Sequence, residues 1–196
     1  MTFNKLDQEI IALYDSNLKD VFSINQISKK LNKKYPYINK KVTDLLNLKV
    51  LKKIEIGRSY LCSLNLDQER TILFLTFNEL SKKERLYRKR PKIKKIEEMI
   101  RSSSEAVISF AVYAGDRIIV VVENESGKKI FKASQLKSQV KLSFMNKQAF
   151  FSALLDNTDG LFTNHTVIYG YERFFEMISG DNERLNLKYN PFFGIR

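Results

Sequence analysis

The sequence predicts a two-domain α/β protein: three short helices with a β-hairpin, a basic helical linker, and a small mixed α/β sheet domain. Three observations carry this. Apolar residues recur at helical spacing from Leu6 to Leu46. Near-continuous apolar runs, AVISFAVY and RIIVVV, flank a Gly-containing turn in the second half. Charge is divided unevenly: residues 1–95 hold 22 Lys/Arg against 10 Asp/Glu, and residues 96–196 hold 12 of each. The boundaries read as 1–66, a linker over 67–104 with its basic centre at 81–95, and 105–196.

A chain of 196 residues, 43% hydrophobic and 29% charged, is long enough for two small cores and is not a disordered composition. No apolar run approaches the roughly 20 residues that span a bilayer, and the N-terminus lacks a signal-peptide pattern. The single cysteine, Cys62, excludes an intrachain disulfide and a cysteine-based zinc site. A cytoplasmic protein without membrane contact is the expectation. The net charge of +12, concentrated in one half, points to a polyanionic partner.

The first helix is read over Lys5–Asn17, with Leu6, Ile10, Ile11, Leu13 and Tyr14 on one face. Ser23 followed by Gln26 fits a capping box, opening a second helix with Ile24, Ile27 and Leu31 inward. Asn32-Lys33-Lys34 makes a turn. Pro36, at a first-turn position that needs no amide donor, starts a third helix that runs to Leu48. Ile38, Val42, Leu45 and Leu46 form its buried stripe, and Asn39, Lys40, Lys41, Thr43 and Asp44 fall towards solvent. Val50–Ile56 and Tyr60–Leu64 around Gly57-Arg58-Ser59 read as a hairpin.

This order, over residues about 5–65, resembles a winged helix-turn-helix of the kind found in archaeal and bacterial regulators. The resemblance lies above all in NQISKKLNKKYPYINKKVTDLLNLKVLKKI: a short helix, a turn, a helix ending in a leucine pair, and an L-x-K step into the wing. Asn47-Leu48-Lys49 departs from the pattern, standing where a Gly is usual. The resemblance implies binding to double-stranded DNA, with the third helix in the major groove. Tyr37, Asn39, Lys40, Lys41 and Thr43 are then the groove-facing candidates. Asn39 suits bidentate pairing with adenine, and Lys40 suits guanine or phosphate. Lys29, Lys30, Lys33 and Lys34 would hold phosphates, as would Lys52, Lys53 and Arg58 from the wing, Arg58 also having the reach to enter a minor groove.

Asp67–Arg88 carries enough apolar residues for a long helix with a wide apolar face, suited to pairing two copies or docking on the next domain. Within SKKERLYRKRPKIKK, nine basic residues stand against Glu84 alone. Arg88, Lys89 and Arg90 are its densest point and candidate phosphate contacts; an exposed linker with incidental charge is the competing reading. Pro91 either bends one helix or separates two. Ile93, Ile96, Met99 and Ile100 mark a further helix that ends at Ser102-Ser103-Ser104.

In the second half, Ala106–Tyr113 and Arg117–Val122 read as strands, with further strands at Lys129–Lys132, Val140–Phe144 and Thr166–Tyr169. Helices are expected at Lys147–Leu155 and Tyr171–Ile178, and the aromatic tail Tyr189–Phe193 is expected to dock. HTVIYGYERFFEMI, after this core, resembles the last strand and helix of the small MNT-like nucleotidyltransferase domains found beside winged helices in archaea, over roughly residues 92–180. Those enzymes require a Gly-Ser turn and an Asp-x-Asp magnesium site. Here Phe110–Tyr113 runs directly into Ala114-Gly115-Asp116-Arg117, with one acid and no intervening helix. Glu123 and Glu125 alternate at a strand end, a pattern that suits turn solvation. The resemblance therefore implies a degenerate, non-catalytic domain, with no catalytic residue, metal or cofactor. His165, the only histidine, has no nucleophile motif beside it, and no Walker or G-x-G-x-x-G loop is present.

The expected function is transcriptional regulation by a DNA-binding protein, as a homodimer through the Asp67–Arg88 helix or the C-terminal domain. Two alternatives stay open on sequence alone: a nucleotidyltransferase of toxin–antitoxin type, and a winged-helix module docking on the transcription machinery.

Overall fold

The computed structural model describes residues 4–15, 18, 20–57, 59–102, 108–123, 140–156, 158, 161 and 164–180. The chain divides into two compact units, one of Met1–Asn78 with Ile178–Arg196 and the other of Glu79–Met177.

The first unit contains α1 (Lys5–Ala12), α2 (Ile24–Leu31), α3 (Tyr35–Asn47), β1 (Leu51–Ile56), β2 (Ser59–Leu64) and the start of α4 (Glu69–Lys89). Two reciprocal caps set the helix starts. Asn4 Oδ1 accepts from the Leu6 and Asp7 amides while Asp7 accepts from Asn4. Ser23 Oγ accepts from Gln26 N at 3.2 Å and Gln26 Oε1 from Ser23 N at 2.7 Å, as the sequence pattern predicts. Ile10, Ile11, Tyr14, Ile27, Ile38, Val42, Leu45, Leu51 and Cys62 are buried together as the core residues of this unit. The antiparallel hairpin pairs Leu51 with Leu64 through Ile56 with Ser59. One pairing escapes sequence reasoning: Phe22 forms an isolated antiparallel bridge with Cys62, with N–H···O distances of 3.0 and 2.8 Å. The buried Tyr14 hydroxyl donates to the Cys62 carbonyl at 3.0 Å, tying α1 to the hairpin. Burial also pushes the Cys62 thiol up to about 11, although the Lys53 charge opposes this. At its start α4 turns polar residues inward: Thr71 Oγ1 donates to Val50 O at 3.2 Å and Asn78 Nδ2 to Asp15 Oδ1 at 3.4 Å.

In the second unit α4 ends at Lys89, and α5 (Pro91–Ser102) begins one residue later. Pro91 therefore separates two helices; its missing N–H falls where no intrahelical donor is needed. The sheet has the order β5-β4-β3-β6. β3 (Ile108–Ala114) and β4 (Arg117–Val122) form an antiparallel hairpin, β5 (Lys141–Met145) runs parallel to β4, and β6 (His165–Tyr169) is antiparallel to β3. α6 (Lys147–Leu155) precedes β6 and α7 (Tyr171–Gly180) follows it. The expected strand at Lys129–Lys132, the tail at Tyr189–Phe193, and Ser103 and Ser104 lie outside the described residues.

The continuous apolar runs are explained by cover on both faces. Ile93, Ile96 and Ile100 of α5 join Ile108, Ala111, Ile118, Val120, Val122 and Ile168 in one cluster. Phe110 meets Phe150 and Phe174 edge-on, at centroid distances of 5.0 and 5.5 Å. Gly170, at φ 72°, lets the chain pass from β6 into α7 flush against β3, where a Cβ would sit 2.8 Å from Phe110 Cα.

Buried carboxylates organise the basic segment. Glu97 receives Lys83 Nζ at 3.2 Å, Tyr87 Oη at 2.7 Å and Arg101 at 2.7 Å. Glu79 receives Lys82 Nζ at 2.6 Å and the Val167 amide of β6 at 2.7 Å. Burial alone would raise the Glu97 pKa, but hydrogen bonds from Tyr87 and Arg101 and the Lys83 charge outweigh it and hold the carboxyl below its usual range. A depressed folded value means that the unfolded chain takes up the proton first. The stabilisation is complete above the unfolded value, about 4.3, and is lost as pH falls from there through the folded value. Glu97→Gln is expected to lower stability by about 3 kcal/mol at neutral pH, since it strands buried Lys83. It should also flatten the acid limb below about pH 4.3, with both effects read from urea denaturation across pH.

Candidate nucleic-acid interface

The end of α2 and the whole of α3 build one polar surface on the first unit. α2 closes on Asn32 in the left-handed region (φ 50°), with Asn32 N donating to Lys29 O and Lys33 N to Ser28 O. Asparagine tolerates that conformation, and Ser28 Oγ fixes the turn by donating to Lys33 O at 2.6 Å. Lys29, Lys30, Lys33 and Lys34 are all exposed as a result. Lys30 Nζ lies 5.1 Å from the Phe22 ring centroid, and Lys33 Nζ lies 3.7 Å from Glu9.

On α3 the inward stripe is Ile38, Val42 and Leu45, which leaves Tyr37, Asn39, Lys40 and Thr43 on the exposed side. Tyr37 is 68% exposed and Tyr35, one turn edge away, 49%. Tyr35 was not singled out from sequence; its place just before Pro36, at the exposed start of a helix, is the signal that marks it. Thr43 Oγ1 donates to Asn39 O at 2.8 Å, so its hydroxyl meets a ligand as an acceptor. Lys41 stands apart from this group. Its Nζ lies 3.3 Å from the buried Asp7 carboxylate of α1, and its side chain is only 21% exposed.

The wing adds Lys53, whose Nζ sits 4.8 Å from the Tyr60 ring centroid, and half-buried Lys52. Gly57 takes φ 59° at its turn; Arg58 lies outside the described residues. Arg88, Lys89 and Arg90 are exposed but belong to the second unit, where Arg90 donates to Tyr113 Oη and lies over its ring. Divided between the units, residues 1–78 with 178–196 hold 16 Lys/Arg against 10 Asp/Glu, and residues 79–177 hold 18 against 12. Both units are basic, so the charge of the linker is not an extension of the first unit alone.

The second unit's candidate chemistry is engaged in ion pairs. Asp116, in the tight turn between β3 and β4, meets Lys141 Nζ at 2.7 Å, which lowers its pKa. Glu123 meets Lys147 Nζ at 2.8 Å with the same effect. His165 is buried, 5.3 Å from the Phe174 ring centroid and 3.9 Å from Glu79. Among the described residues no helix is long and apolar enough to cross a membrane.

Set against known proteins, the chain matches no family model, no curated protein and no solved structure. What the fold defines on its own geometry is a winged-helix-like unit, three helices and an antiparallel hairpin, together with a mixed α/β sheet unit.

The turn that places α3 against the wing departs from the usual glycine and carries a cost. Lys49 adopts φ 59°, with Lys49 N donating to Leu46 O and Val50 N to Leu45 O, both at 2.9 Å. Asn65 anchors it by donating from Nδ2 to Lys49 O at 2.9 Å. Left-handed backbone costs a side-chain-bearing residue about 1 kcal/mol. Lys49→Gly is therefore expected to raise stability by about 0.5–1 kcal/mol in thermal or urea unfolding, with the loss of unfolded-state restriction offsetting part of the gain.

Proposed function

We propose that this chain is a double-stranded DNA-binding protein acting in transcriptional regulation, with α3 in the major groove. The observation that carries this reading is the exposed face of α3. Tyr37, Asn39 and Lys40 stand clear of the core there, while Lys29, Lys30, Lys33 and Lys34 are exposed on the preceding helix and turn. A helix presenting an amide and an ammonium to base edges, with lysines beside it for phosphates, meets the requirements of groove readout. Arg88, Lys89 and Arg90 supply further phosphate contacts from the second unit.

The second unit acts in this reading as a non-catalytic domain of nucleotidyltransferase-like ancestry. The ion pairs at Asp116 and Glu123 support that, since lysine ammonium groups occupy the carboxylates that a magnesium site would need.

Fluorescence anisotropy of the full chain on duplex DNA tests the first claim. Affinity should fall steeply with salt. Asn39→Ala should cost about 1–3 kcal/mol at a single base-pair position and relax preference there. Unchanged affinity in Lys40→Glu would overturn the placement of α3, and no binding at low salt would favour a protein-docking role. Incubation with labelled nucleoside triphosphates and Mg²⁺ tests the second claim. No transfer is expected, and metal-dependent incorporation that is lost in Asp116→Asn would overturn it.

A further inference from the structure

The basic segment of the second unit is neutralised only in part from within. Of its nine cations between Ser81 and Lys95, Lys83 pairs with Glu97 at 3.2 Å and Lys82 with Glu79 at 2.6 Å. Arg90 donates to Tyr113 Oη and lies 5.4 Å from its ring centroid, and Lys92 has an interaction of its own. Arg85, Arg88, Lys89, Lys94 and Lys95 remain, where α4 ends and α5 begins. All five are exposed, and none has an ion pair or hydrogen bond among the described residues. The exposed acids nearest in sequence, Glu84 and Glu98, form no ion pair with them.

Fold stability accounts for two of the five. Arg88 and Lys89 suit the carboxyl end of α4, where the helix dipole favours cations. Arg85 lies before the last turn and repels Arg88 and Lys89, three and four residues on along the same face. Lys94 stands in the first turn of α5, the positive end of that helix, and the turn holds no acid. Lys95 adds like charge beside it. The side chains that hold this corner to the sheet, Leu86, Tyr87, Ile93 and Ile96, pack into the apolar cluster instead. Charge set outward, unpaired and partly against the field of its own helix matches a polyanion.

We propose that this corner of the second unit is a binding site in its own right for the phosphate backbone of duplex DNA, indifferent to sequence and independent of α3. The choice of DNA rests on the function proposed for α3, whereas the phosphate chemistry rests on the corner alone. From Arg85 to Lys95 every exposed side chain is Arg, Lys or Pro91. No exposed ring is there to stack an unpaired base, which single-strand binding uses. No exposed large apolar side chain is there to enter a lipid surface. A surface of cations alone positions a duplex through its phosphates and carries no amide or hydroxyl to read a base edge.

Fluorescence anisotropy of the full chain on mixed-sequence duplexes, as a function of salt, is the test. The combined variant Arg88→Gln, Lys89→Gln, Lys94→Gln and Lys95→Gln should bind about tenfold or more weakly, alike on every duplex. The slope of log K against log salt should become shallower by about 0.9 for each contact removed, about 3 to 4 in all. Its thermal midpoint should hold or rise, since like charge is removed. If that variant fails to fold, Lys94→Gln and Lys95→Gln taken singly should each make the slope shallower by about 0.9. An unchanged slope would overturn the proposal. So would polyglutamate or phosphatidylserine vesicles binding as tightly as duplex and losing as much in the variant, which would make the partner an acidic protein or a membrane. The α3 reading is read from a different variant: indifference to Lys40→Glu beside a shallower slope in the corner variant would remove α3 from the DNA and leave the corner standing.

Discussion

The second unit depends on two buried carboxylates. A segment with nine basic residues from Ser81 to Lys95 cannot fold as two packed helices unless some of that charge is met from within. Glu97 and Glu79 meet it. Glu97 sits on α5 and draws in Lys83 from α4, so one ion pair determines how the helices on either side of Pro91 pack. Tyr87 and Arg101 fill its remaining acceptor sites, which is what makes a buried pair tolerable in a low-dielectric setting. Arg88, Lys89, Lys94 and Lys95 are left on the outside.

The first unit solves a different problem, that of holding one helix outward. α3 is tied on three sides. Lys41 pairs with Asp7 of α1, the Ser28–Lys33 turn fixes its entry, and the Lys49 turn, fastened by Asn65, fixes its exit. What remains free is a narrow strip that starts at Tyr35 and passes through Tyr37, Asn39, Lys40 and Thr43. Rigid backing of this kind suits a surface that must match a groove without paying to order itself on binding.

Much of this is legible in the residues. The Ser23–Gln26 cap, the Pro36 start, the stripe Ile38–Val42–Leu45 and the hairpin around Gly57 are local features, and local physics decides them. The same holds for the two apolar strands joined at Gly115-Asp116. Features that depend on distant partners were not legible. Nothing near Phe22 says that it will bridge Cys62. Nothing near Lys41 says that Asp7 lies within reach, so its solvent-facing register hides an internal tie. The wide apolar face of α4 is legible in its residues, but which of its polar residues turn inward is not. Only the partners of Thr71, Asn78, Glu79 and Lys83 reveal that the polar side is the inner one.

The bond from the Val167 amide to Glu79 has an effect beyond packing. Among the described residues β6 is the last strand of its sheet, and a bare edge strand invites another chain to add to it. Here the edge amide is already held by a carboxylate, itself neutralised by Lys82, and an incoming strand would have to dislodge a buried ion pair before forming its first hydrogen bond. At Val167 the β6 edge is thereby occupied, one of the ways in which a sheet edge is blunted against strand addition.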